Sequence, residues 1–319
     1  MTRFKSLVAV VSLMTLALTA GAQTFPSRPI KIIVPFQAGT ATDLVTRLIA
    51  PALSEQLGQP VVVDNRPGAD GAIGAVEVAR AAPDGYTLLM STNGFAAVPA
   101  MRKAPPYHPT KDYTPISMVG RYAFFLFVNT TLPFRTLTEL LEYSRAHPGA
   151  LNYATGNPTG IIATRQLLSL ADVKMLWVPY KGEPAAMTDL VTNRVQVMFS
   201  TMTTAGPHVA SGKLRVLATT LPTRLPSAPE IPTITEAGLP KFSVVSWAAL
   251  QGPANMPKEI TQRLSRAVAV AIAKPEIREA FAKQYIVPLS STPEELRTYV
   301  HDQAELYAYT LKEAGIEPE

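Results

Sequence analysis

Three short segments carry residue types suited to holding an anion. The first is Pro35-Phe36-Gln37-Ala38-Gly39-Thr40-Ala41-Thr42-Asp43. Gly39 permits unusual backbone angles and close approach, Thr40 and Thr42 bring hydroxyls, and Phe36 brings an apolar wall. The second is Tyr153-Ala154-Thr155-Gly156-Asn157-Pro158-Thr159-Gly160, with two hydroxyls, an amide and two glycines. The third is Tyr180-Lys181-Gly182-Glu183-Pro184, where Lys181 could pair with a carboxylate and Pro184 suits the first helical position. The loop Ser91–Gly94 adds Ser91 to the candidate ligand contacts. Each segment also reads as an ordinary polar turn: Thr40 or Thr42 as a helix N-cap, Lys181 as a solvated cation. Asp43 would repel an anion, so helix capping or a bridging water is its expected role.

These residues make sense only if strands and helices bring them together. Ile30–Val34 is a β-branched run ending at Pro35, a buried strand. Apolar residues then recur at Leu44, Val45, Leu48, Ile49, Ala52, Leu53 and Leu57, which is helical spacing. Pro51 should kink or divide that helix, and Gly58 should stop it. Val61–Val63 is the next strand, so the chain opens β-α-β, the unit of a parallel sheet. Asn65–Gly71 reads as a structural turn near the cleft, Ile73–Ala81 as a short helix and Tyr86–Met90 as a strand. Further strands are expected at Ile116–Val119, Phe124–Val128, Leu151–Ala154, Met175–Pro179, Val195–Phe199 and Leu214–Thr219. Thr136 with Glu139, and Thr292 with Glu295, are capping boxes opening helices. Another helix starts after Pro257. The alternation predicts two α/β lobes. In such sheets a ligand sits beyond the carboxyl ends of the strands, where helix N-termini offer free N–H groups and partial positive charge.

Composition removes other classes. The chain has 319 residues, a formal charge of +5 and no basic tract, so nucleic-acid binding is unsupported. Zero cysteines and four scattered histidines argue against a transition-metal site and against disulfides. No cofactor is expected. The rival reading is an exported α/β enzyme, which needs a nucleophile with a base or paired carboxylates. No G-x-S-x-G is present, and His108, His147, His208 and His301 lie apart in the sequence. Trp177 and Trp247 read as core residues. Residues 1–22 read as an export leader: Arg3 and Lys5, an apolar run from Leu7, then Ala20-Gly21-Ala22, with cleavage before Gln23. The first lobe is expected to hold residues 23–123 and 221–319, the second 124–220.

The same loops resemble the periplasmic receptors of tripartite tricarboxylate transporters, the Bug receptors. The resemblance covers nearly all of residues 25–316 in order. It is carried by Pro26-Ser27-Arg28-Pro29-Ile30, by Val34-Pro35-Phe36 with Gly39 and Asp43, and by Leu57-Gly58-Gln59-Pro60-Val61 through Asn65-Arg66-Pro67-Gly68-Ala69. Pro83-Asp84-Gly85-Tyr86-Thr87, Val178-Pro179-Tyr180-Lys181-Gly182 and Pro232-Thr233-Ile234-Thr235-Glu236-Ala237-Gly238 extend it. The resemblance implies a two-lobed periplasmic-binding-protein fold of Venus-flytrap type. It also implies a small carboxylate-bearing ligand, no catalysis, and delivery to membrane subunits of a transporter from a monomer. By position, Phe36, Ala38, Gly39, Thr40 and Asp43 match the family's first-lobe loop. Thr155, Gly156, Thr159 and Gly160 match its second-lobe loop. Thr40 and Asp70 stand where the family usually has Gly, and Ile161–Thr164 lacks the His that usually follows the second loop. A ligand-presenting sensor subunit uses the same fold, and sequence does not separate the two roles.

Overall fold

The computed structural model describes residues 25–313 and Pro318. The leader expected at residues 1–22 lies outside the described residues. Strand β1 (Ile30–Val34) runs parallel to both β2 (Val61–Asn65) and β3 (Thr87–Thr92). Strands β4 (Tyr113–Tyr122), β10 (Ser246–Pro253) and β11 (Ile286–Pro288) complete a six-stranded sheet in the order β11-β4-β10-β3-β1-β2. A second sheet of five strands has the order β7-β6-β8-β5-β9. It uses β5 (Phe125–Asn129), β6 (Asn152–Thr155), β7 (Leu176–Pro179), β8 (Val197–Ser200) and β9 (Leu214–Thr219). Both sheets are mixed, because β10, β11 and β5 run antiparallel to their neighbours.

Alternation along the strands explains the layering. In β1, Ile30, Ile32 and Val34 face one buried cluster with Val45, Ile49 and Leu53 of helix α1 (Ala41–Leu57), while Ile33 faces another. In β5, Phe125 and Phe127 join Met187 and Leu190 of α6 (Glu183–Val191), while Leu126 and Val128 point the opposite way. Period-2 side-chain alternation feeds both faces of each sheet. The inward clusters of the two sheets merge around Phe199, Trp247 and Tyr307, the last on α10 (Pro293–Glu313).

Helix α1 runs unbroken through Pro51. Pro51 removes one backbone donor, but it and Arg47, whose carbonyl loses its partner, are exposed, so water replaces the missing bond. Gly58 ends the helix at φ 71°, its N–H bonded to the Ser54 carbonyl. Thr136 and Glu139 cap α4 (Leu137–Ala146) reciprocally, and Thr292 and Glu295 exchange the same bonds at α10. The remaining helices are α2 (Ala72–Ala79), α3 (Asn93–Ala97), α5 (Pro158–Ala171), α7 (Met202–Ala210), α8 (Lys258–Ala273) and α9 (Pro275–Lys283). The segment read as a loop from Ser91 to Gly94 is instead the end of β3 and the start of α3.

The chain leaves the first sheet at Tyr122 and enters the second at Phe125. Its return is later than the expected residue 221. Leu221, Leu225, Ala228 and Ile231 pack in the cluster of the second sheet, and the chain re-enters the first sheet only at Ser246. Pro222, Pro226, Pro229 and Pro232 keep this stretch irregular, which hides its allegiance from any periodicity.

Candidate ligand-binding site

A cavity of about 330 Å³ opens between the two sheets, within the size range of small-molecule sites. Residues of both sheets' loops line it. From the first come Phe36, Thr40 and Thr42; from the second, Gly156, Thr159 and Lys181. Five helices of eight or more residues begin at its wall. These are α1 at Thr40–Thr42, α2 at Gly71, α5 at Asn157–Thr159, α6 at Gly182–Pro184 and α7 at Thr201. Four of them, α1, α2, α6 and α7, have no side-chain hydrogen bond at the N-cap. Their first-turn N–H groups lack intrahelical acceptors, and their dipoles add partial positive charge. Positive charge therefore reaches the cavity mainly through backbone, against the carboxylates of Asp70 and Glu183 in its wall.

Two buried hydroxyls at the same wall have no partner: Tyr122 Oη, 4% exposed, and Thr201 Oγ1, 8% exposed. Tyr122 lies beside Thr42 without reaching full hydrogen-bond geometry. Burial pushes its pKa up, so it stays an O–H donor. An unsatisfied buried hydroxyl is costly; both oxygens are closed to water here, and a polar ligand would satisfy them once the wall shifts.

The loops are built stiffly. Gly39, at φ 83°, donates its N–H to Asp43 Oδ2 at 2.9 Å. Asp43 also accepts from Arg47 Nε at 3.0 Å and Asn65 Nδ2 at 2.9 Å. Burial raises the Asp43 carboxyl, but the bonds from Arg47, the Gly39 amide and Asn65 outweigh it and hold it below the usual range. Opposite, Thr155 accepts from Trp177 Nε1 at 2.7 Å, and its carbonyl accepts from Tyr180 N–H at 2.9 Å. Gly156 is needed for contact, since a Cβ there would lie 2.5 Å from the Glu183 nitrogen. Asn157 caps α5 by accepting from Gly160 N–H at 2.8 Å, which turns its Nδ2 toward Glu183.

Of the twelve residues singled out from sequence, Phe36, Thr40, Gly156, Thr159 and Lys181 line the cavity. The Thr40 hydroxyl donates to the Gln37 carbonyl at 2.9 Å, and exposed Lys181 has no ion pair among the described residues. The other seven do not line it. Ala38 and Gly39 shape the first loop without lining the cavity, and Asp43 braces that loop. Thr155 holds Trp177, and Gly160 is spent on the cap. Tyr180 donates to Asp189 Oδ2 at 2.7 Å. Ser91 is the clearest displacement: it is fully buried in β3, donating to the Ala249 carbonyl and accepting from Gln251. Its strand neighbours leave it no route to the cavity.

Sequence reasoning missed Tyr122, Thr201, Glu183 and the loop Pro67–Gly71. That loop was read as structural, yet all five of its residues line the cavity. Ala69 and Asp70 adopt positive φ of 47° and 58° between Gly68 and Gly71, a strained run of the kind that gathers at functional sites. The two flanking glycines were its signal. Asn157 and Glu183 were also readable as residues opening helices beside prolines. Nothing marked Tyr122, which ends a strand.

Among the described residues, no helix is long and apolar enough to cross a membrane, and no group of His, Asp and Glu could hold a metal ion. Residues 45–316 match the model of the tripartite tricarboxylate transporter family receptor. The protein BugT of Bordetella pertussis is 34% identical over 99% of this chain and 98% of its own. The solved periplasmic binding protein BugD is 32% identical and superposes with a TM-score of 0.84, covering 92% of this chain and all of BugD. An R. palustris protein solved with adipate is also 32% identical, with a TM-score of 0.86 over 92% of this chain and all of that one. Family and structural neighbours are substrate-binding receptors rather than enzymes. The chain belongs to the tripartite tricarboxylate transporter receptor family.

Proposed function

We propose that this chain captures a small carboxylate-bearing molecule in the cavity between its two sheets and hands it to the membrane subunits of a tripartite transporter. The observation that carries this reading is the convergence of five helix N-termini, from both sheets, on one cavity with two orphaned hydroxyls. A carboxylate accepts several N–H and O–H bonds at once, and the cavity offers such donors from opposite sides. The adipate bound by the R. palustris relative is a molecule of this class.

The protein works in the periplasm after losing residues 1–22. The six-stranded sheet with its helices forms one lobe and the five-stranded sheet the other. They close by hinge motion at the crossings, Tyr122–Phe125 and the stretch before Ser246. Closure removes water, which strengthens each polar contact. A thermal-shift panel of small mono-, di- and tricarboxylates and aromatic acids tests this. An acid at 100 times its Kd adds about 2.7 kcal/mol of stability. A clear rise in Tm for at least one acid, confirmed by calorimetry, is expected. A panel that leaves Tm unmoved throughout refutes the reading.

A further inference from the structure

One group in the cavity does not fit a plain anion site. Glu183 lines the wall at the first turn of α6, with its carboxylate between the first turns of α5 and α7. Among the described residues it has no cationic partner within ion-pair distance. Its Oε1 accepts from Asn157 Nδ2 at 2.8 Å and from Ser200 at 3.4 Å; its Oε2 accepts only from Thr204 at 3.1 Å. Asn157 cannot be turned around, because its Oδ1 is committed to the α5 cap. It therefore presents N–H to Glu183, and Oε1 must be an acceptor. Oε2 keeps acceptor capacity beyond the Thr204 bond. The other acid at the wall is different: Asp70 is paired with Arg102 at 2.7 Å.

An enclosed carboxylate without a cation is expensive. The lone lysine of the wall, Lys181, is exposed and does not reach it. A ligand that brought only negative charge would meet a carboxylate with no cation beside it. A ligand that brought a cation would complete the pair that the protein leaves open.

Resting on the carboxylate-binding reading above, we propose that Glu183 selects ligands carrying an ammonium group beside the carboxylate, so that the cavity takes a zwitterionic acid. The carboxylate is held by the helix N-termini and the Tyr122 and Thr201 hydroxyls, and the ammonium by Glu183. The three donors on Glu183 fix its orientation, which makes it a rigid acceptor. Burial pushes the Glu183 carboxyl up, as expected for a group that awaits a counter-charge.

The test uses matched acids that differ at one carbon only, bearing hydrogen, hydroxyl or ammonium there. Three- to six-carbon mono- and dicarboxylates serve as skeletons. Affinities are measured by calorimetry at pH 7.5 for the wild type and for Glu183→Gln. In the wild type, the ammonium member of the best-binding set should bind at least tenfold tighter than the hydrogen member. In Glu183→Gln the ammonium member should weaken tenfold or more, while the hydrogen member tightens. Opposite signs separate selection from structural damage, since a misfolded or loosened cavity weakens both. Equal affinities within every wild-type set, or a variant that preserves the ammonium preference, overturns the proposal and leaves carboxylate binding standing. A hydroxyl member that outbinds the ammonium member also overturns it. Binding of no acid in any set overturns the functional reading itself.

Discussion

Gly156→Ala should separate the two second-sheet loops. A Cβ at Gly156 would stand 2.5 Å from the Glu183 nitrogen and 2.7 Å from Glu183 Cα and the Gly182 carbonyl carbon. All three are backbone atoms, so no side chain can swing aside. To reach ordinary contact at 3.4 Å the loops must part by about 0.9 Å. That movement stretches the 2.9 Å bond from Tyr180 N–H to the Thr155 carbonyl to about 3.8 Å, beyond hydrogen-bond range. Overpacking costs about 1–3 kcal/mol, and a lost buried hydrogen bond about 1 kcal/mol more. At about 2–4 °C per kcal/mol, Tm should fall by roughly 5–15 °C in thermal unfolding followed by circular dichroism. Gly206→Ala is the contrast. It lies inside α7 with nothing within 4 Å of a built Cβ, so it should gain up to about 1 kcal/mol of helix propensity. A Gly156→Ala protein as stable as wild type would refute the close-contact argument.

Tyr122→Phe and Thr201→Val remove hydroxyls that have no partner in the unliganded protein. Apo Tm should hold or rise, while calorimetric affinity for the acid selected by the panel falls about 5- to 150-fold, from 1–3 kcal/mol per buried bond. Asp43→Asn should act with a pH sign. The folded-state carboxyl is held low, so its contribution is present above the unfolded value of about 3.9 and lost as pH falls through the folded value. The Tm deficit of Asp43→Asn should be large at pH 7 and shrink toward pH 3. Glu183 has the opposite sign. Its folded carboxyl is raised, so its contribution is full below about 4.3 and lost as pH rises. Apo Glu183→Gln should gain Tm relative to wild type between pH 4 and pH 8; a gain that shrinks over that interval would contradict the assigned direction.

Nine of the eleven strands were legible because each is a short apolar run closed by turn residues, while β10 and β11, which complete the first sheet, were not read. Ile30–Val34 and Leu214–Thr219 match their strands to the residue. The capping boxes at Thr136 and Thr292 marked two helix starts for the same local reason. Pro51 misled, because sequence does not show that its missing donor falls on a solvent face. The site was legible as loops and less so as atoms. Thr155 and Tyr180 have the right chemistry, but Tyr180 spends its proton on Asp189 and Thr155 is buried where it accepts from Trp177, and those partners lie 9 and 22 residues away. Ser91 looked like a loop hydroxyl, and one more residue of strand buried it. Tyr122 lines the cavity only because the chain changes sheets immediately after it, which is a tertiary fact. Glu183 was visible as a helix-opening acid, while its lack of a cation depends on everything packed around it.

The central claim is that one anion is gripped from both sheets at once. A crystal structure of the protein with the acid chosen by the thermal-shift panel tests it most directly. The account predicts a ligand carboxylate within hydrogen-bond distance of the first turn of α1 on one side and of α5 or α6 on the other, touching Tyr122 or Thr201. An acid that contacts the loops of a single sheet, or that sits elsewhere on the surface, would contradict it.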